Sequence, residues 1–410
     1  SIPEFESVGL SGHQNKNYTM KDYGQSIEEY LTQIGADGYL IEADSSEADQ
    51  YYLSGFDAPD PFISLYTPDQ LHLLVPNMEA SRAKKESPAD SITANEEYGA
   101  SGRIRHFGTK KNRQVLSSFL YDKGAKKIVV SDQFPVGTAD GLRAEGIELY
   151  IDNEDILTDV RSIKTQEEVD SVREAQKASE KALAAAENLL RNANVMERTL
   201  LYDGEPLTSE RVRTEIEVTL LRSGFASGSF KPVVACGSDA ADPHLRGKGP
   251  LSANETIIVD IFPQSNETKY HGDITRTFVV GEPDTDIRRR YNIVCQAQQA
   301  ALDAIEPGVS GKKVHAAACE VFEEYDFPTV RTNPKNDRGY IHRTGHGVGL
   351  EVHENPRLSE TGGTLLPGHT VTVEPGLYHP DMGGIRIEDL VVVTDDGYEN
   401  LTEYEKRLVI

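Results

Sequence analysis

Apolar positions in the first 160 residues fall into short runs separated by polar segments. Ile27 to Ile34 has helical spacing and stops before Gly35. Extended apolar runs follow at Gly38–Ile41, Phe62–Tyr66, Leu71–Val75 and Lys127–Val130, the last behind a helical stretch around Val115 to Tyr121. Helices alternating with strands in this way predict an α/β layer domain. No dense set of His, Asp and Cys occurs here, so the segment carries no chemistry of its own.

The pattern changes near Arg161. Thr165 with Glu168 three positions on is a capping box, and it opens a long helix through Ala175, Ala178, Ala182 and Leu189. A second helix carries Val212, Ile216 and Leu220 at four-residue spacing and ends at Gly224. Strands are expected at Pro232–Cys236, Thr256–Phe262 and Thr275–Val280. Two more helices, Ile287–Ile305 and Lys312–Tyr325, then precede strands at His369–Glu374 and Ile385–Val393. Two helices and a sheet thus occur twice in succession, which points to a duplicated αβ unit. The chain is expected to be α+β, with domains 1–160 and 161–410.

Composition agrees with two domains, since 410 residues exceed what one hydrophobic core usually serves. No run approaches the roughly 18 to 20 consecutive apolar residues of a membrane span. The polar stretch Ser1 to Tyr18 does not read as a secretory leader. Three cysteines, Cys236, Cys295 and Cys319, are odd in number and are expected to be buried free thiols in a reducing cytoplasm. The 67 acidic against 42 basic residues leave a net charge of −25, which repels phosphate backbones and argues against a nucleic-acid partner. Because the acidic residues are spread through surface segments such as Glu42 to Asp49, the excess reads as an adaptation to a salty cytoplasm; an ordinary acidic protein is the alternative.

Candidate chemistry is concentrated between His244 and His379, which hold eight of the eleven histidines. Asp260 lies inside the apolar run Ile257-Ile258-Val259-Asp260-Ile261-Phe262, where a charge is costly unless paired or metal-bound. Asp273 opens the next strand, so the two carboxylates can meet across a hairpin. Glu374 and Glu388 stand in the β-type segments Val371-Thr372-Val373-Glu374 and Ile385-Arg386-Ile387-Glu388. His346 is flanked by Gly345 and Gly347, which leave its ring unobstructed. A strand Asp alone is most often an ion-pair partner, and a lone His most often a satisfied core residue. The set differs, because two carboxylates about 4 Å apart repel by roughly 4 kcal/mol at an effective dielectric near 20. Four converging carboxylates need compensating charge, and two divalent cations supply it. Oxygen donors with one imidazole suit Mn, Co, Fe or Zn. Such a pair of ions can activate a water and stabilise the oxyanion formed on a carbonyl.

The run His342-Arg343-Thr344-Gly345-His346-Gly347-Val348-Gly349-Leu350-Glu351-Val352-His353-Glu354 resembles the signature of the proline-specific metallopeptidases of the pita-bread family, which includes Xaa-Pro dipeptidases and Xaa-Pro aminopeptidases. The resemblance is close from Lys164 onward and looser over the amino-terminal region, which looks like the creatinase-type domain of these enzymes. It implies a pita-bread catalytic domain holding two divalent ions, manganese foremost. Asp260 would chelate one ion, His346 and Glu374 the other, with Asp273 and Glu388 bridging. Glu374 would also shuttle the proton of the attacking water. His244, in Asp242-Pro243-His244, matches the histidine beside the substrate, and His353 the one that stabilises the oxyanion. Arg343 and Arg357 are candidates for holding a substrate carboxylate, with ordinary surface or supporting arginines as the alternative. A homodimer is also implied.

The thirteen-residue separation of Asp260 and Asp273 is two more than the family's usual spacing. Two added residues at a hairpin tip keep the period-two faces in phase, so a longer turn near Ser265 to Lys269 is expected. The leading expectation is a cytoplasmic enzyme that cleaves Xaa-Pro dipeptides, followed by an Xaa-Pro aminopeptidase acting on longer peptides. A creatinase-like hydrolase of other small amides, or a non-catalytic binding module, is disfavoured because those relatives lack the ligand set.

Overall fold

The computed structural model describes residues 21–101, 104–228 and 230–410; the reading of Ser1–Tyr18 falls outside them. The chain divides into two compact units between Val160 and Arg161.

The amino-terminal unit is built on a six-stranded sheet in the order Ser91–Ala94, Gln70–Val75, Phe62–Thr67, Gly38–Ala43, Lys127–Val130, Glu148–Ile151. The Phe62–Thr67 strand is antiparallel to both neighbours, whereas Gly38–Ala43, Lys127–Val130 and Glu148–Ile151 run parallel. Tyr39, Ile41, Leu71 and Leu73 pack into one core, and Leu40, Ile63, Leu65 and Leu74 into another. Successive residues point to opposite faces of a strand, so a sheet covered on both faces needs nearly unbroken apolar runs. That is why four strands were legible. The two that were not, Ser91–Ala94 and Glu148–Ile151, are edge strands whose residues are largely half-exposed or exposed.

The carboxy-terminal unit opens with the helix Gln166–Arg191, whose Thr165 hydroxyl accepts from the Glu168 N–H while the Glu168 carboxylate accepts from the Thr165 N–H. With the helix Ser209–Arg222 it covers a three-stranded antiparallel sheet, Val233–Cys236, Ile257–Ile261 and Ile274–Phe278, with Ile257–Ile261 in the middle. Ala182, Ile216, Leu220, Val259 and Phe278 share that core. The helices Thr285–Asp303 and Gly311–Glu324 then pack against a five-stranded antiparallel sheet containing Gly345–Gly347, Glu354–Leu358, Thr370–Val373, Asp389–Thr394 and Gly397–Asn400. Helix pair and sheet therefore recur in the order the apolar pattern predicts.

The single strand expected over Ile385–Val393 is two strands, Gly383–Arg386 and Asp389–Thr394. They belong to different sheets, and Glu388 stands in the break, where it bridges Thr275 of the first half. Apolar alternation continues across the break, so it gave no warning. The longer turn is found where expected: the Ser265 N–H donates to the Tyr270 carbonyl, Ser265 Oγ accepts from the Glu267 and Thr268 amides, and Lys269 has φ +64°. All three cysteines are free; Cys319 is buried, but Cys236 and Cys295 are only half-buried, short of the full burial expected. Among the described residues no helix is long and apolar enough to cross a membrane.

Candidate metal centre and active-site cavity

A cavity of about 590 Å³ opens in the carboxy-terminal unit, and Asp260, Asp273, His346, Glu374 and Glu388 all line it. Strand register brings the first two together. Asp260 pairs with Thr275, and Asp273 lies two residues before Thr275, so both carboxylates project from the same face as diagonal neighbours. The Asp273 N–H donates to Gln176 Oε1 at 2.8 Å, tying the hairpin to the long helix. Gly272 permits this approach, since a Cβ there would lie 2.6 Å from the Ala175 backbone.

His346 enters from the strand Gly345–Gly347. A Cβ on Gly345 would meet the Thr372 carbonyl oxygen at 1.9 Å, and one on Gly347 the Asn355 carbonyl oxygen at 2.1 Å. The glycines therefore serve close strand packing, a stronger requirement than leaving the ring unobstructed. His346 Nδ1 lies 3.1 Å from the Gly347 carbonyl oxygen, which leaves Nε2 facing Glu374 Oε1 at 3.4 Å and Asp273 Oδ2 at 3.9 Å. Glu374 directly follows the strand Thr370–Val373, and its N–H donates to the Thr344 carbonyl at 2.7 Å. Glu388 accepts a 2.7 Å hydrogen bond from Thr275 Oγ1, while its own carbonyl accepts from Arg276, whose guanidinium is ion-paired to buried Asp389 at 2.8 Å.

Ligand atoms of Asp273, His346 and Glu388 all lie within 4.8 Å of one another. Asp260 Oδ2 accepts from Arg386 Nη2 at 2.8 Å, but its Oδ1 is buried without a partner. Burial pushes the Asp260 carboxyl up. Asp273 and Glu388 are driven well above the carboxylate range, first by burial and then by neighbouring carboxylates. Burial would raise Glu374 too, yet the hydrogen bond and charge of His346, with His342 and Arg386, hold it at about 2. Three carboxyls that resist ionisation around one orphaned oxygen are what a site shaped for cations presents, because a bound cation reverses the sign of that penalty. The donor set fits divalent metal.

His244, His353 and Arg343 also line the cavity. The His353 ring stands edge-on to His346 at 4.4 Å between centroids, and burial, His346 and Arg343 among others lower its pKa to about 4. His244 is exposed at the rim, its N–H bonded to Asp242 Oδ1. Arg357 is placed differently: it takes the exposed position in the alternation of the strand Glu354–Leu358 and is not among the lining residues.

Four contributors were not singled out from the sequence. Arg386 bonds Asp260 and, at 2.7 Å, the Tyr378 hydroxyl, which in turn lies 3.0 Å from His342 Nε2. Thr275 joins Asp260's strand to Glu388. Arg386 sits two residues before Glu388, so period-two spacing could have flagged it; nothing local marks Tyr378.

A metallopeptidase is the class this fold and donor set define, and comparison with known proteins agrees. Residues 170–395 match metallopeptidase family M24, and residues 25–187 match the creatinase/prolidase N-terminal domain. The chain belongs to metallopeptidase family M24. It is 28% identical over 392 residues to the Xaa-Pro dipeptidase of Pyrococcus furiosus, covering 95% of this chain and 100% of that one. The prolidase structure from Pyrococcus horikoshii is similar with a TM-score of 0.77 at 27% identity, covering 94% of this chain and 99% of that one. An X-Pro aminopeptidase from Thermotoga maritima gives a TM-score of 0.77 at 25% identity over 93% of this chain and all of that one.

Proposed function

We propose that the protein hydrolyses the bond between an N-terminal residue and proline in Xaa-Pro dipeptides, using two divalent metal ions, manganese in particular. The observation that carries this reading is the convergence of four carboxylates and His346 on one cavity, with His244, His353 and Arg343 among the other residues lining it. The dipeptidase of P. furiosus and the prolidase of P. horikoshii, which align over nearly their whole length, support the substrate class.

In this reading Asp260 would hold one ion and His346 with Glu374 the other, while Asp273 and Glu388 would be shared between them. When bound, the ions supply Lewis acidity and a nucleophilic water. The remaining work falls to the chain. Glu374 accepts the proton of the attacking water and passes it to the leaving proline nitrogen. His353 is neutral at pH 7 and donates an N–H to the oxyanion as charge develops there. His244 orients the substrate from the rim. Arg343, exposed on the lining, binds the C-terminal carboxylate of the dipeptide. Arg357, outside the lining, is left to a supporting part. Residues 161–410 form the catalytic domain and 1–160 the creatinase-like one, in a cytoplasmic homodimer.

The test is hydrolysis of Leu-Pro by the metal-analysed enzyme. Chelation should abolish it, Mn²⁺ or Co²⁺ should restore it, and Asp273→Ala and Glu388→Ala should each disable both ions together. Full activity in either variant, or in the chelated enzyme, would remove the dinuclear reading.

A further inference from the structure

A second set of buried charges lies behind the cavity. The side chains of Arg161, Lys164 and Glu354 are each at most 3% exposed. Glu354 Oε2 accepts from Lys164 Nζ at 2.7 Å; Oε1 accepts from Arg161 and, at 3.1 Å, from the N–H of Glu351. Arg161 also reaches the Glu351 carboxylate at 2.9 Å. Burial would raise the Glu354 carboxyl, but Lys164 and Arg161 outweigh it and hold the group ionised.

Buried ion pairs are a poor route to stability, because desolvation consumes most of their attraction. This one does fix geometry. It pins the loop between the strands Gly345–Gly347 and Glu354–Leu358, where the Gly349 N–H donates to the Glu351 carbonyl at 3.0 Å and the Gly349 carbonyl accepts from the His271 N–H at 2.8 Å. The Glu354 carboxylate lies against Gly349 so closely that a Cβ there would stand 2.4 Å from Oε2. His353 is the residue before Glu354. Among the described residues no hydrogen bond holds its ring, which rests only edge-on against His346 and, at 6.1 Å, Phe230. The direction of that ring is therefore set by the backbone of residues 351–354, and Glu354 fixes that backbone.

We propose that Glu354, clamped by Arg161 and Lys164, is a positioning residue that aims the His353 ring at the reacting carbonyl. This rests on the reading of His353 as the oxyanion donor. Glu354 is not among the residues that line the cavity; it acts through its neighbour.

The experiment is a double-mutant cycle on the metal-loaded full chain, with Leu-Pro as substrate and bound metal measured in every variant. Glu354→Gln keeps the shape and removes the charge. Lys164→Met with Glu354→Gln removes one cation together with the anion, so that no extra buried charge is stranded if the single variant folds poorly. Each is made with His353 intact and with His353→Ala. A displaced donor lowers kcat by about 10- to 100-fold, with KM and metal content unchanged. Once His353 is alanine, neither Glu354 variant should lower kcat further. In the metal-free chain, amide exchange over residues 347–354 should quicken in the same variants. Losses that multiply with that of His353→Ala, or an unchanged kcat in the charge-compensated variant, would overturn the proposal and leave the role of His353 standing. A His353→Ala enzyme of full kcat would overturn the role of His353 and this proposal with it.

Discussion

Thr275 and Glu388 are joined twice: the threonine hydroxyl donates to Glu388 Oε2 at 2.7 Å, and the Glu388 N–H donates to the threonine carbonyl at 3.0 Å. Thr275 is also the register partner of Asp260. One threonine thereby sets the distance between carboxylates that come from the two halves of the unit. Thr275→Val keeps the shape and the backbone bond but loses the hydroxyl. It should weaken metal binding by about 10- to 100-fold, as loss of a partner behind a ligand typically does, with thermal stability little changed. Calorimetric Mn²⁺ titration checks this, and an unchanged affinity would mean that the backbone bond alone places Glu388.

As the proposed oxyanion donor, His353 would act on charge formed during the reaction and not on the ions. His353→Ala should leave metal content intact and lower kcat about 10²- to 10³-fold, the usual loss on deleting an oxyanion donor. Stoichiometric loss of metal from this variant would make His353 a ligand instead.

The candidate ligand residues were legible where each stands out in its own segment: Asp260 places a charge inside an apolar strand, and His346 sits between two glycines. Four strands of the amino-terminal sheet were legible because burial on both faces left unbroken apolar runs. The break at Glu388 was not, since Ile385, Ile387, Val391 and Val393 keep an apolar rhythm through it even though the strands on either side join different sheets. Tyr378 was missed for a related reason. Its part depends on which distant elements meet at the cavity, and no local spacing encodes that, whereas Arg386 stands two residues before Glu388 and could have been flagged. The exposure of Arg357 follows from its place in the alternation of its strand, legible only once the strand's core face is known.

His369 offers a pH test away from the ligands. Its Nδ1 accepts the Leu366 N–H at 3.0 Å, so the ring is neutral, and Nε2 lies 3.3 Å from Ser162 Oγ. Burial, aided by Lys164, lowers its pKa from 6.5 to about 4. The unfolded chain binds this proton more readily than the folded one, so stability is full above about pH 6.5 and is lost as pH falls toward 4. The loss is on the order of 3 kcal/mol at most. His369→Gln should lower stability at pH 7.5 while making the decline between pH 6.5 and 4 shallower. Denaturant melts across that range provide the check, and parallel curves would mean that other groups carry the transition.

A surface of net charge −25 repels itself. If the acidic excess is an adaptation to concentrated salt, the melting temperature should rise from low salt to molar KCl, as the Debye length shrinks from about 10 Å at 0.1 M to about 3 Å at 1 M. A flat or falling melting temperature favours an ordinary acidic protein.

The choice between dipeptides and longer peptides turns on Arg343. A dipeptide carries its carboxylate next to the proline, where a guanidinium on the cavity lining can pair with it. A longer peptide offers a neutral amide at that point, which leaves the arginine without its anion and the amide without a matched partner. Among the described residues Arg343, exposed on the lining, has no ion-pair partner, whereas Arg386 is already committed to Asp260 and Tyr378. Arg343→Ala should therefore raise KM for Ala-Pro and Leu-Pro, leave kcat nearly unchanged, and have little effect on Xaa-Pro tripeptides, whereas Arg357→Ala, lying outside the lining, should change neither. Comparing kcat/KM for Leu-Pro with that for a Leu-Pro-Xaa tripeptide in the unmodified enzyme decides the larger question. Preference for the dipeptide that disappears in Arg343→Ala supports the dipeptidase reading. Equal or faster cleavage of the tripeptide by the unmodified enzyme would make it an Xaa-Pro aminopeptidase, with the same residues holding the metals.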